Sequence, residues 1–187
     1  MLISKNDIQN IEEKVEEFER KYNIVLPEKY RNFLLRYNGG ETPDTYYKNG
    51  RRKEYIRGFY GIGEFLYSFA SLPYLDDFIE KDYLPIASDP FGNKIVIGVG
   101  KDNNGKIYFS NHENGFRCTL MTEDFVSFIN NVKSKPIDPD YLKPVEVREQ
   151  ELIARGKAAN ITDVIRNEWQ KEIDKYSSEV KEIFSFF

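Results

Sequence analysis

The stretch "LPEKYRNFLLRYNGG", residues 26–40, decides how the N-terminal part of the chain folds. Pro27 and Glu28 are typical of the first turn of a helix, where a missing N–H costs nothing and a carboxylate meets the positive end of the dipole. Apolar side chains then recur at three- and four-residue steps, which predicts a helix with one buried stripe. The stripe consists of Tyr30, Phe33, Leu34 and Tyr37.

Two adjacent glycines follow this stripe in Asn38-Gly39-Gly40. They could belong to a phosphate-binding loop, but such a loop precedes a helix, and a P-loop also carries Lys followed by Ser or Thr. Here the glycines come after the helix, at the place where glycine adopts positive φ without steric cost. We therefore interpret the motif as the stop of a helix.

The residues on either side of this helix have different patterns. Upstream, an apolar stripe at helical spacing with glutamates between its members predicts a helix with an acidic outer face. Downstream, residues 41–67 are rich in glycine, charged and aromatic residues, which predicts a long loop with a short strand near residues 54–59. Residues 71–80 show helical spacing that predicts a short helix. The upstream stripe consists of Ile8, Ile11, Val15 and Phe18.

Beyond residue 94 the apolar pattern becomes typical of strands. Residues 95–99, "KIYFS" and "FRCTL" are separated by Asn104-Gly105 and Asn114-Gly115, which are dipeptides typical of hairpin turns. Three antiparallel strands in a meander are the expected result. Residues 125–132 then predict a helix, for which Thr122 is the expected cap.

Three prolines mark the best domain boundary, because residues 136–144 cannot be helical throughout. We expect one domain over residues 1–135 and an extension over 136–187, which contains two helices broken near residues 156–160. Thr162 is the expected cap of the longer helix. Its apolar stripe must dock on the first domain or pair with another chain, so a homodimer through this helix is one expectation. The stripe consists of Ile161, Ile165, Trp169, Ile173, Tyr176, Val180, Ile183 and Phe187.

The composition is that of a folded protein, with 40% apolar and 15% aromatic residues among 187. A net charge of -4 gives no overall attraction to nucleic acid or anionic membranes and favours a basic partner. A single cysteine fits a reducing compartment. The chain shows neither a signal peptide nor an apolar run of membrane-spanning length, so we expect a soluble protein in the cytoplasm.

Candidate catalytic groups are few. His112 is the only imidazole, and we interpret it as a turn residue; Cys118, on one face of a strand with Phe116 and Leu120, is interpreted as a buried thiol. The carboxylates between residues 76 and 82 could do acid and base work, but such a run is usually a solvated helix face. We therefore expect no enzyme activity, no metal and no cofactor.

One basic stretch leaves an alternative open. Residues 46–57, "YYKNGRRKEYIR", combine cations with tyrosines, which suits single-stranded nucleic acid. Because the whole chain is acidic, the rim of a protein interface is the favoured interpretation and nucleic acid is not the expected partner. The residues concerned are Tyr46, Tyr47, Lys48, Arg51, Arg52, Lys53, Tyr55 and Arg57.

The order of these features resembles the SMI1/KNR4 family, also called the SUKH superfamily. The resemblance rests on "IQNIEEKVEEFERKYNI", "LPEKYRNFLLRYNGG", "FYGIGEF", "YLPIASDPFGNKIVIGV", "GKIYFSNHE" and "FVSFINNV", over residues 8–132. It implies an α+β fold, in which helices flank a small antiparallel sheet. It also implies that Leu26, Pro27 and residues 38–40 are structural. Ser110 and Asn111 depart from the family pattern around His112.

The resemblance also implies function. Most bacterial members are immunity proteins that bind and neutralise polymorphic toxins, often nucleases, whereas fungal members are regulatory hubs. We therefore expect an immunity protein that occludes a cognate toxin, with a basic nuclease domain as the expected partner. A regulatory scaffold that docks through its C-terminal helices is the alternative. The expected partner-binding residues are Glu41, Asp44, Tyr46, Tyr47, Asp76, Asp77, Glu80, Asp82 and Asp89.

Overall fold

The computed structural model describes residues 1–49 and 52–178. This part of the chain divides into two compact units: unit 1 is Met1–Lys135, and unit 2 begins at Pro136. Several residues named above lie outside the described ranges. They are Arg51, Val180, Ile183 and Phe187.

Unit 1 combines helices with one antiparallel sheet, so the predicted α+β class is confirmed. The described sheet has seven strands in the order β6-β5-β4-β3-β2-β1-β7, more than the four that the sequence pattern predicted. The helices are α1 (Ile11–Tyr22), α2 (Glu28–Tyr37), α3 (Leu75–Ile79) and α4 (Phe125–Asn131). The strands are β1 (Gly40–Asn49), β2 (Arg52–Phe59), β3 (Tyr83–Ser88), β4 (Lys94–Gly98), β5 (Ile107–Asn111), β6 (Arg117–Thr122) and β7 (Val132–Ser134).

The two faces of the sheet differ in what covers them. Paired residues on neighbouring strands share a face, so Leu84, Ile97 and Ile107 lie in one row on the main core, which also contains apolar side chains of α1, α2 and α4. The next row, with Val96 and Tyr108, belongs to the opposite face. Val96 is fully buried there but lies outside the main cluster, so the sheet has covered area on both faces.

The short strand predicted near residues 54–59 is confirmed as part of β2. The loop predicted before it is wrong, because β1 lies there and pairs with β2 in a hairpin. Few of its residues are apolar, so burial periodicity could not predict it. Pairing on both sides stabilises β1: β2 binds one edge, and β7 binds the other at Thr45, Tyr46 and Tyr47. A register shift before Thr45 interrupts the alternation of side chains between the two faces of β1. Asp44, next to this shift, has φ of 36°.

The interpretation of Asn38-Gly39-Gly40 as a helix stop is confirmed. Helix α2 ends at Tyr37, and Asn38 adopts the left-handed conformation with φ of 49°. The buried Asn38 side chain accepts a hydrogen bond from the Ile62 backbone N–H and donates one to the Ile62 carbonyl, both at 2.8 Å. The motif therefore ends the helix and ties it to the segment after β2.

Two local predictions need correction. Helix α4 is capped by Asp124, whose carboxylate accepts from the Ser127 N–H at 2.7 Å, whereas Thr122 closes strand β6. An aspartate at this position satisfies the same free N–H groups that a threonine would. The predicted two-residue turns are longer connections, since β4 ends at Gly98 and β5 at Asn111.

Unit 2 contains the helices α5 (Val145–Ala154) and α6 (Asp163–Ser178). Salt bridges join them, with Arg148 to Glu172 at 2.7 Å and Arg166 to Glu149 at 2.5 Å. The predicted cap is confirmed, because the Thr162 hydroxyl accepts from the Ile165 N–H. Within the described ranges, every helix falls short of the length and apolar character that a membrane crossing needs.

Candidate protein-binding surface

Four of the expected binding residues form one exposed group, the acidic α3 patch: Asp76, Asp77, Glu80 and Asp82. Asp76 and Asp77 occupy the first turn of α3, where their charges complement the helix dipole. Asp82 follows the helix with φ of 62°, and its backbone carbonyl accepts from the Val99 N–H. The patch is therefore held on a short helix that is tied to the end of β4.

Three other expected residues lie on β1. Glu41 and Asp44 are exposed, and Tyr46 is half-buried. The Asp44 carboxylate is 3.1 Å from the Lys135 ammonium, so its charge is partly neutralised. In the sheet, β2 separates β1 from β3, which follows the α3 patch. The expected residues therefore form two groups on different elements.

Tyr47 and Asp89 are too buried to contact a partner. Tyr47 is 5% exposed, and its ring stacks on Phe128 at a centroid distance of 5.3 Å; this burial raises the pKa of its hydroxyl. Asp89 is 8% exposed, and its carboxylate accepts hydrogen bonds from the backbone N–H groups of Phe91 and Asn93. Strand alternation turns Tyr47 to the core, and Asp89 shapes the β3–β4 turn. We leave both out of the binding surface.

The sequence predicted the acidic outer face of α1 but did not include it among the binding residues. Glu12, Glu13, Glu16 and Glu17 are all exposed there. At the end of α1, the Tyr22 hydroxyl raises the pKa of Lys21 through a hydrogen bond, and the Asp76 charge adds to this effect. The C-terminal end of α1 is therefore within electrostatic reach of the α3 patch.

A cavity of about 530 Å³ lies beside the α3 patch. We name it the α3–β6 cavity. Phe78, which is buried, meets the ring of Phe116 edge-on at 5.2 Å, and Asp77 connects the cavity to the acidic patch. Sequence reasoning missed this site because its walls come from segments about forty residues apart. The lining residues are Tyr74, Asp77, Phe78, Lys81, Tyr83, Gly115, Phe116, Arg117 and Cys118.

The two candidate reactive side chains occupy different places. Cys118 is half-buried in the cavity wall, and burial raises the pKa of its thiol, which favours the unreactive protonated form at neutral pH. His112 is exposed, and its Nδ1 lies 2.8 Å from the Asn93 side-chain oxygen. Across residues 1–49 and 52–178, no group of three metal-ligating side chains comes together.

Within the basic stretch, residues 46–49 lie on β1 and residues 52–57 lie on β2. Tyr55 is 47% exposed, and the Lys53 ammonium lies 4.5 Å from the centre of the Tyr46 ring, but Tyr47 is in the core. The Tyr46 ring is therefore already engaged by a cation from its own hairpin. The arrangement fits a surface hairpin better than a row of free stacking platforms.

Comparison with known proteins agrees with this architecture. The chain is similar to the SPbeta prophage-derived uncharacterized protein YokK of Bacillus subtilis (strain 168), with 27% identity over 154 residues that cover 70% of this chain and 79% of the relative. No solved structure matches the chain significantly. The SMI1 / KNR4 family (SUKH-1) matches residues 4–131, which takes in α1 through α4 and all strands except the edge strand β7. The chain therefore belongs to the SMI1/KNR4 family (SUKH-1).

Proposed function

We propose that this protein is an immunity protein that binds a cognate polymorphic toxin and neutralises it by occlusion. Family membership over residues 4–131 is the observation that carries the proposal, because SUKH proteins are often immunity proteins that bind toxins. In this role the protein works in the cytoplasm, performs no bond-making and needs no cofactor. Its contribution is a preformed surface.

The charge distribution supports a basic toxin domain, as in many nucleases. The exposed glutamates of α1 and the acidic α3 patch belong to a chain whose net charge is -4, and the Asp76 charge acts on Lys21 at the end of α1. Such a surface steers a basic partner into encounter and raises the association rate at low salt. Helices α1 and α3 each contribute apolar residues to the main core, so the elements that hold these carboxylates need little ordering on binding.

The test reverses the charge of three residues in the acidic α3 patch. The variant Asp76→Lys, Asp77→Lys, Glu80→Lys should associate more slowly with the cognate toxin domain, and its association rate should depend less on salt. The matched control, Glu146→Lys, Glu168→Lys, Asp174→Lys, makes the same charge change at exposed sites of unit 2. Surface plasmon resonance at several salt concentrations measures both. Equal slowing by both variants, or unchanged kinetics at low salt, would rule out this surface.

Exposed apolar side chains in unit 2 favour a second candidate, a regulatory scaffold that docks through its C-terminal helices. Ile153 is 57% exposed and Val164 is 72% exposed. Apolar exposure on helices is typical of interaction sites when it is contiguous. If the full chain bound no toxin domain, and removal of unit 2 abolished its assembly with another protein while unit 1 stayed folded, this candidate would replace the first.

A further inference from the structure

Strand β6 ends the described sheet, and within residues 1–49 and 52–178 one of its hydrogen-bonding edges is unused. Among the described strands it pairs only with β5, and its six residues contain neither proline nor lysine, which proteins commonly place on edges to prevent further pairing. The strand at the opposite end, β7, has only three residues. An edge of six residues is about 20 Å long, which suits an added strand.

The α3–β6 cavity opens at the start of this edge. Arg117 and Cys118 belong both to β6 and to the cavity wall. Phe116 precedes β6 and has φ of 58°, so the strand alternation begins only after it. Cys118 and Leu120 share one face of the strand, and Leu120, although apolar, is 47% exposed. Apolar side chains, Cys118 and then Leu120, therefore continue from the cavity wall along one face of β6.

The lining of the α3–β6 cavity carries more cationic than anionic side chains, whereas the net charge of the whole chain is negative. Lys81 and Arg117 are exposed on the cavity rim, and neither has an ion pair within the residues that the structure describes. Asp77 is the only carboxylate in the described lining. A ligand that places a carboxylate beside Arg117 is therefore favoured over one that brings a cation.

We propose that β6 and the α3–β6 cavity form a docking site for an extended segment of another protein. The segment adds to the sheet as a further strand, inserts an aromatic or aliphatic anchor into the cavity, and carries a carboxylate next to the anchor. Arg117 belongs to the cavity lining, so a carboxylate next to the anchor lies within its reach when the anchor occupies the cavity. Backbone hydrogen bonds supply affinity and the cavity supplies specificity, as in other cases of strand addition.

A segment fits this site better than a second copy of the chain. Stable dimers bury at least about 1,200 Å² in total, and two paired edges of six residues offer far less. The proposal is also independent of toxin neutralisation, since the acidic α3 patch selects for a basic surface and this site selects for an acidic, apolar strand. The proposed toxin neutralisation and the proposed docking site can each fail without the other.

A synthetic peptide tests the site directly. The probe is fluorescein-labelled Thr-Val-Thr-Phe-Glu-Val-Thr-Val, titrated with the full-length protein and followed by fluorescence anisotropy. We expect binding that weakens about fivefold when the peptide Glu becomes Lys. Replacing the Val after Glu by Pro should abolish binding, because proline prevents strand pairing. An absence of binding, or equal binding of the proline peptide, would overturn the proposal.

Protein variants localise the interaction. Arg117→Glu should weaken binding of the Glu peptide about fivefold and favour binding of the Lys peptide, whereas Lys101→Glu, an equal charge change at another exposed site, should change neither.

Cys118 is the only cysteine of the chain, so alkylation by iodoacetamide reports on the cavity. The bound peptide should slow this alkylation. Unchanged alkylation would place the peptide elsewhere, and a dimer in light scattering that Arg117→Glu dissociates would make a second copy the occupant.

Discussion

Gly40 shows how a single position holds distant segments together. Its φ is 132°, and a Cβ atom built there would approach the Ser4 carbonyl oxygen to 1.5 Å. That carbonyl belongs to the N-terminal segment, whose Ser4 N–H donates to the Glu41 carbonyl at 3.0 Å. Glycine is therefore required here for backbone contact as well as for conformation.

Gly40→Ala should lower the free energy of unfolding by about 3 kcal/mol, since both the contact and the conformation are lost. The matched control is Gly115→Ala. Gly115 also has positive φ, but a Cβ there meets nothing within 4 Å, so only the conformational cost of about 1 kcal/mol is expected. Urea unfolding followed by circular dichroism measures both. Equal losses would show that the Ser4 contact contributes nothing.

Among the elements, α4 depends most clearly on one cap. It has only seven residues, and the Asp124 carboxylate binds both the Ser127 N–H at 2.7 Å and the Ser127 hydroxyl at 2.6 Å. Helix α4 carries Phe125 and Phe128 into the core, where each ring contacts aromatic side chains of other elements. Fraying of its first turn would therefore loosen the packing between α2 and the sheet.

Asp124→Ala should cost about 1 kcal/mol at neutral pH, the usual value of a lost cap. Hydrogen bonds from Ser127, first of its hydroxyl and then of its N–H, hold the pKa of Asp124 below its ordinary value of 3.8. A lowered folded pKa stabilises the protein above the unfolded pKa, and this contribution disappears as the pH falls through the folded value. The stability difference between the wild type and Asp124→Ala should therefore shrink below pH 3.8.

Urea unfolding across this pH range gives the comparison, with Asp102→Ala as the control for loss of an exposed carboxylate in a loop. A difference that stays constant down to low pH would mean that the cap does not depend on the charge of Asp124.

At the scale of the whole molecule, unit 1 and unit 2 are stabilised by different interactions. Unit 1 has an extended apolar core, with 25 buried residues in one cluster. The described helices of unit 2 have no buried residue in α5, and charged pairs such as Arg148 with Glu172 join α5 to α6. A core of the size in unit 1 is sufficient for independent folding, whereas α5 in unit 2 has no buried residue and is joined to α6 by ion pairs that are only partly buried.

A truncated chain that ends at Lys135 should therefore fold alone, with cooperative thermal unfolding. Its toxin affinity should match that of the full chain if the α1 and α3 carboxylates form the binding surface. Size-exclusion chromatography with light scattering reports on its state, and calorimetry on its unfolding. Aggregation of the truncated chain would instead show that the C-terminal helices cover part of unit 1, and residues 1–135 would not be an independent domain.

Local patterns were enough to predict α1, α2, α4 and the stop after Tyr37, because helix periodicity and capping depend on residues within a few positions of one another. They were also enough for the strands around Ile97 and Phe109, whose apolar runs are short and continuous. These features carried the family resemblance and hence the expected class of function.

Pairing between segments far apart in the chain determined the features that local patterns did not predict. Strand β1 is stabilised by β2 on one edge and by β7, some ninety residues later, on the other, and neither partner is visible in the polar sequence of β1. The same pairing buried Tyr47, which the sequence had marked as a contact. Folding also brought α3 to the start of β6 and so created a cavity from segments that share no motif. Burial and site geometry follow from which segments meet, and that depends on the packing of the entire sheet rather than on local propensity.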